Sequence, residues 1–373
     1  MTAASEGMAL RVAVIGGAAF GFRQPFAGGM ESHTFDLVQG LRRRGHHVEV
    51  YAGPSPDLEA GSVAMWDGMP ARRAGRRDVP TCPEQLAAEH FAYQRTMLRL
   101  SRRDDLDVVH LNAVHHLPAA LSPLLDTAVT VTLHCPPNPM LELTHRELLA
   151  DADVDAPDLV AVSAHLARRW RHSLGVPIAT IENAVDLAGW PRGPGGGGYA
   201  AWSGRLVPEK APHLAIDAAR RAGIPIVLAG PAHDPAYLAD EVRPRLGPDA
   251  KWVGPLARPA LADLIGGADL TIVSSVWDEP FGLVAAESLS CGTPVATTGC
   301  GALRDVVDAD VGAHGSPDPD DLADAVTRAR TRSRATCHAR AVARFDGERM
   351  IDRYERWFRR AAGRPSEPLE TVA

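Results

Sequence analysis

The chain has 373 residues, more than one hydrophobic core ordinarily serves, so two domains are expected. With 45% hydrophobic and 23% charged residues it is globular in composition, and a net charge of −7 excludes a global attraction to nucleic acid or anionic lipid. No apolar run reaches the ~18 residues of a spanning helix, and "MTAASEGMALRVAVIGG" lacks the basic-then-apolar pattern of a signal peptide.

The five cysteines, Cys82, Cys135, Cys291, Cys300 and Cys337, form no C-x-x-C pair, so reduced thiols in a cytoplasmic protein are expected. Nearly all the basic residues are Arg; Lys stands only at 210 and 251, which invites a local explanation for each.

From the N-terminus, short β-branched runs alternate with helical segments: "LRVAVIGG", "HHVEVYAG", "DVVHLNA", "AVTVTLHC" and "DLVAVSA". Runs of this kind separated by helices predict a parallel sheet covered on both faces, a doubly wound α/β domain. The glycines of the first run, Gly16, Gly17 and Gly21, do not fit the G-x-G-x-x-G dinucleotide fingerprint, and Glu49, at the end of the next strand, lies too far along to be its acid. Gly28 and Gly29 are more informative. They precede "MESHTFDLVQGLRRRG", whose apolar residues recur at helical spacing, and paired glycines at a helix start let backbone N–H groups approach an anion; a plain tight turn is the alternative. The clusters Arg42–Arg44 and Arg72, Arg73, Arg76 and Arg77 read as solvated surface or as a contact with an anionic membrane or partner. The Pro-, Gly- and Arg-rich stretch 54–83 reads as a long loop of the first half. Asp151, Asp153 and Asp155 form a D-x-D pattern in a polar loop, distant in sequence from any phosphate motif, so no metal site is expected there.

"WPRGPGGGGY", residues 190–199, cannot lie inside a helix or strand and divides the chain. The first domain is placed at 1–191 and the second at 192–345. A helix over 346–362 follows, and 363–373 reads as a disordered tail. The second half repeats the α/β alternation in "YAAWSGR", "PIVLAG", "KWVGP", "LTIVSS" and "PVATTG". After the first of these strands the turn carries Arg205 and Lys210, two cations suited to a diphosphate. After the fourth comes "WDEPFGLVAAESLSCGTPV", where Glu279 and Glu287 stand seven residues apart in an otherwise apolar segment. Pro280 lets a helix begin only just beyond it. Glu279 is expected in the loop and Glu287 about two turns inside the helix, on its polar side. Buried acids need hydrogen-bond donors, and the vicinal hydroxyls of a ribose and a hexose are such donors. The helix N-terminus, through the N–H groups of Phe281, Gly282 and Leu283, would hold a diphosphate between them.

This segment resembles the E-x7-E signature of retaining glycosyltransferases with the GT-B fold, most closely glycosyltransferase family 4. "FAGGMESHTFDLVQGLRRRGHHVEVYAG" resembles the family's Gly-Gly-x-Glu opening. "VSAHLARRW" and "IENAVDLAGW" are similar to two further segments, and "SGRLVPEKAPHLAIDA" matches G-R-x-x-x-E-K-G with Ala211 in place of the last Gly. The resemblance implies two Rossmann-like doubly wound domains facing a cleft, with a C-terminal helix that crosses back to the first. It implies that Arg205 and Lys210 bind the donor diphosphate, Glu287 the ribose, and Glu279 the hexose near the reacting carbon. Phe281, Gly282 and Leu283 would touch sugar and phosphates through their backbone, and Gly28 and Gly29 would approach from the other domain. His134, in "TLHCPPN", falls where several relatives carry an active-site His; His110, His115 and His116 rank lower.

Transfer is therefore expected to be metal-independent, with no cofactor beyond the nucleotide-sugar donor. The leaving phosphate would itself take the acceptor proton. UDP is the expected base and N-acetylglucosamine the first choice of sugar; a GDP-mannose-type or lipid-linked-glycan transferase is the alternative. The acceptor is expected to be a small molecule or glycan, and the protein a monomer or homodimer without nucleic-acid partners, with room for a peripheral membrane contact. An epimerase, a phosphorylase and a non-catalytic nucleotide-sugar binder are weaker readings. Lys251 lacks the context of a phosphorylase's cofactor lysine, and a mere binder would be expected to lose one of Arg205, Lys210, Glu279 and Glu287.

Overall fold

The computed structural model describes residues 9–55, 57, 61–65, 83–366 and 369. The chain forms two parallel sheets. The first contains β1 (Arg11–Ile15), β2 (His47–Ala52), β3 (Ser62–Ala64), β4 (Val108–Leu111), β5 (Ala128–Leu133), β6 (Asp158–Ala161) and β7 (Ala179–Thr180), in the order β3-β2-β1-β4-β5-β6-β7. The second contains β8 (Ala200–Ser203), β9 (Ile226–Ala229), β10 (Ala250–Trp252), β11 (Leu270–Val273), β12 (Val295–Thr297) and β13 (Gly312–His314), in the order β10-β9-β8-β11-β12-β13. Each sheet grows outward in both directions from its first strand, the doubly wound pattern. The central strands are buried on both faces, as in VVHL of β4 and LTIV of β11, because helices cover the two sides of each sheet. All ten strands expected from the sequence form. Three short edge strands, β3, β7 and β13, add to them, and Glu49 lies within β2 rather than at its end, held by both terminal nitrogens of Arg103 at 3.1 Å.

The segment 190–199 joins the two sheets and lies against the helix Arg258–Gly267, to which Gly195 and Gly197 donate backbone hydrogen bonds. The C-terminal helix Gly347–Ala361 packs on the first domain. Its buried stripe of Met350, Ile351, Tyr354, Trp357 and Phe358 meets Leu10, Val12, Leu37, Val38 and Leu41. The Arg42–Arg44 cluster serves this contact and is not an unpartnered surface. Arg43 and Arg44 pair with Glu348, Arg44 also with Asp352 and Glu355, and Arg42 donates to the Val48 carbonyl. The second Arg cluster and most of the 54–83 stretch lie outside the described residues, as does Cys82. The other four cysteines are free thiols. Among the described residues no helix is long and apolar enough to cross a membrane.

Candidate active site

The carboxyl-terminal edges of the two sheets line one cavity of about 520 Å³. An open α/β sheet presents its loops and helix N-termini at this edge. All ten residues singled out from the sequence lie on its wall: Gly28, Gly29 and His134 from the first domain, and Arg205, Lys210, Glu279, Phe281, Gly282, Leu283 and Glu287 from the second.

Glu279 follows β11 and is only 8% exposed. One of its oxygens, Oε2, accepts from Lys210 Nζ at 2.6 Å, from Ser275 Oγ at 2.8 Å and from Trp277 Nε1 at 2.8 Å. Burial alone would raise its pKa. The Lys210 charge and the three hydrogen bonds outweigh burial and hold the carboxyl below its ordinary value, so it is a carboxylate at neutral pH. Lys210 sits with its ammonium 5.1 Å from the centre of the Trp277 ring. Its carbonyl and that of Ala211 accept from Ser274 Oγ at 2.9 Å, which ties the β8 turn to the end of β11. Ala211, where the sequence pattern led us to expect Gly, has φ 46°, the one left-handed non-glycine among the described residues.

The donor-side helix runs Leu283–Ser290, starting two residues later than the sequence suggested, because Gly282 at φ 97° is its N-cap. The Cβ of any other residue at 282 would lie 2.5 Å from Leu303 Cδ2. The first N–H groups of this helix lack intrahelical partners and face an anion favourably. Glu287 is thus in the second turn. It is not on a polar side: Ala285 through Ser290 are all buried, and Glu287 is 8% exposed. Burial pushes its pKa up to about 7, with the charge of Arg258 opposing and that of Asp36 adding to the rise. The helix α1 (Gly29–Arg43) brings its own N-terminus to the same place. A Cβ at Gly29 would lie 2.9 Å from Leu283 Cδ1, so the two helix starts meet across the cleft.

His134 follows β5. Asn112 donates through Nδ2 to Thr34 Oγ1 at 2.5 Å, so its Oδ1 is left to accept from His134 Nε2, also at 2.5 Å. This fixes the tautomer and leaves Nδ1 as an acceptor. Burial, with repulsion from His33 and His110, keeps the ring neutral, its pKa well below the ordinary value. His33 packs edge-on against it at 5.0 Å. His110 is a core residue, held by Thr130 and Thr132 and packed on Tyr354, Trp357 and Phe358.

The Asp151–Asp155 loop is not part of the cavity wall; Asp151 accepts the Asp153 N–H in a local turn. Among the described residues, the one group of three or more potential metal ligands is His90, His115 and His116, within 4.8 Å of one another. His115 and His116 are stacked at 4.7 Å and 18°, and His115 Nδ1 caps the Leu117 N–H. The residue that sequence reasoning missed is Arg258. Its signal lay in "WVGPLARPAL", where a lone cation interrupts an otherwise uncharged segment.

Comparison with known proteins agrees with this geometry. Residues 27–188 match the family described as Glycosyltransferase Family 4, and residues 194–340 match Glycosyl transferases group 1. A glycogen synthase of Mycobacterium tuberculosis is 27% identical over 321 residues, spanning 75% of this chain and 76% of the relative. A phosphatidyl-myo-inositol mannosyltransferase of the same organism is 28% identical over 322 residues, spanning 79% and 80%. Among solved structures, sucrose-phosphate synthase from Thermosynechococcus elongatus shares the fold with a TM-score of 0.75 at 18% identity, covering 94% of this chain and 98% of that one. The Anabaena protein HepE, in complex with UDP-glucose, does so with a TM-score of 0.70 at 17% identity, covering 93% and 98%. The chain belongs to the family 4/group 1 glycosyltransferases, with two Rossmann-like domains in the GT-B arrangement. It is a glycosyltransferase.

Proposed function

We propose that the chain moves a hexose, with retention at the anomeric carbon, from a UDP-sugar to a hydroxyl of a small-molecule or glycan acceptor, without a metal on the diphosphate. The observation that carries this reading is the Lys210–Glu279 pair at the meeting point of two helix N-termini, its carboxylate buried and its ammonium half-buried. Two helix dipoles with Arg205 and Lys210 supply the positive field that a departing diphosphate needs, a contribution on the order of 3 kcal/mol for each well-placed donor. That is the work a metal would otherwise do.

Glu279 Oε2 is occupied by three donors, and its depressed pKa makes it a weak nucleophile. This favours a role as acceptor for hexose hydroxyls over a covalent glycosyl-enzyme. The leaving phosphate then receives the acceptor proton on the same face. His134 cannot serve as a cationic acid while its ring stays neutral; its Nδ1 is suited to accept from a substrate hydroxyl. Glu287, as a carboxylate, accepts from the ribose.

UDP is supported by HepE, solved with UDP-glucose; N-acetylglucosamine is the first sugar to test. The mannosyltransferase relative favours a second reading, a GDP-mannose-type donor with a lipid-linked acceptor. The test is a panel of UDP-, GDP- and ADP-sugars with EDTA present, read as free nucleotide and as thermal stabilisation. Release or stabilisation by one donor is expected. Activity only on addition of a divalent cation would refute the metal-free proposal, and no response to any nucleotide would refute the donor site.

A further inference from the structure

At the cavity wall a side chain of the second domain reaches into the first. Arg258, 10% exposed at its side chain, donates through Nη1 and Nη2 to both oxygens of Asp36, at 2.9 and 3.0 Å, and through Nη2 to Ser32 Oγ at 3.1 Å. Its backbone N–H donates to Gln24 Oε1 at 3.2 Å, and its guanidinium lies 5.6 Å from the centre of the Phe26 ring. Asp36 and Ser32 belong to α1, whose first residue, Gly29, meets Leu283 of the donor-side helix. We propose that Arg258 is a positioning residue for the donor: by clasping α1 it sets the two helix N-termini against each other on the cavity wall that also carries Glu287. This rests on the donor reading given above.

Two observations separate this from a merely structural ion pair. A buried pair contributes little net stability over an apolar replacement, and this one joins Arg258 to Ser32 and Asp36 across the two walls of the cavity. In addition, one guanidinium faces several acids. Asp36 is engaged directly, Asp186 Oδ2 lies at 3.9 Å, and Glu287 feels the Arg258 charge without a hydrogen bond to it. The charged groups that bear on Glu287 are Arg258, which favours its charged form, and Asp36, which disfavours it. Asp36 in turn faces Arg258, Asp186 and Arg43.

Arg258→Met and Asp36→Asn break the same clasp but remove opposite charges, so their effects on Glu287 have opposite signs. UDP affinity is measured by calorimetry from pH 5.5 to 8.5 on wild type and both variants, with KM and kcat for the donor at fixed pH. Wild-type affinity is expected to rise through a midpoint near 7. Arg258→Met should move that midpoint to higher pH and raise the donor KM about tenfold or more, with a smaller change in kcat. Asp36→Asn should move the midpoint to lower pH. Arg258→Lys, which keeps the charge and loses the fork, should restore the midpoint but not the full affinity. A donor KM unchanged from wild type in folded Arg258→Met that still binds UDP would overturn the clasp proposal and leave the donor reading standing. A wild type that binds no nucleotide would overturn both.

Discussion

Glu287 makes the sharpest quantitative prediction. In the folded chain its carboxyl sits at about 7, against an ordinary 4.5. At about 1.36 kcal/mol for each tenfold, that difference corresponds to about 3 kcal/mol of folding free energy. The sign follows from where the proton resides. Below about 4.5 the group is neutral in both states and contributes nothing. Between 4.5 and 7 the unfolded chain releases the proton while the folded chain retains it, so stability falls with rising pH. Above 7 the full penalty applies. Glu287→Gln is isosteric with the protonated form and escapes that penalty. Thermal midpoints of the two proteins, without nucleotide, should nearly coincide at pH 5. At pH 8 the variant should be the more stable by roughly 6–12 °C, from ~2–4 °C per kcal/mol for a domain of this size. The comparison cancels every other titrating group common to both chains. A difference that stays constant from pH 5 to pH 8 would refute the reasoning, since it would mean the carboxyl is not held neutral by burial. The same variant should lose the pH dependence of UDP affinity.

Glu279→Ala removes the acceptor shared by Lys210, Ser275 and Trp277. Turnover should fall by about 100-fold or more, while UDP affinity measured by calorimetry stays level or tightens as the freed ammonium turns to the phosphates; retained turnover would exclude its role at the hexose. Ala211→Gly relieves a left-handed residue, worth about 1–2 kcal/mol. It also loses a fully buried methyl, about 0.8 kcal/mol, and adds unfolded-chain entropy of about 0.4–1 kcal/mol. These offset one another, so the thermal midpoint should move by no more than a few degrees; a large shift in either direction would show that the turn is held by something other than this balance.

The strands were legible because a buried parallel strand is a run of β-branched and small residues with no polar alternation. The exceptions show the limit. β7 has two residues and β3 and β13 three each, and all three are outermost strands that form because a neighbouring edge is available to pair with. The candidate site was legible for a different reason. Glycines, a lysine in an arginine-rich chain and acids in an apolar segment are locally out of place, and a site forces such exceptions on a sequence. What could not be read is how the exceptions meet. The polar side assigned to Glu287 was wrong because helical position tells which residues share a face. It does not tell what packs on that face, and here the helices Arg334–Arg344 and Arg258–Gly267 and strand β11 cover nearly all of it. Arg258 escaped for the same reason, since its partners Gln24, Ser32 and Asp36 lie more than 200 residues away in sequence. The charge state of Glu287 is set across that same distance. The residues of the E-x7-E pair are thus recognisable locally, but their chemistry divides by neighbourhood. Glu279 is tuned by cations and donors of its own domain, and Glu287 by an ion pair that exists only while the two domains are together. Donor affinity and domain closure should therefore titrate as one event at Glu287 and stay independent of pH at Glu279 through the neutral range.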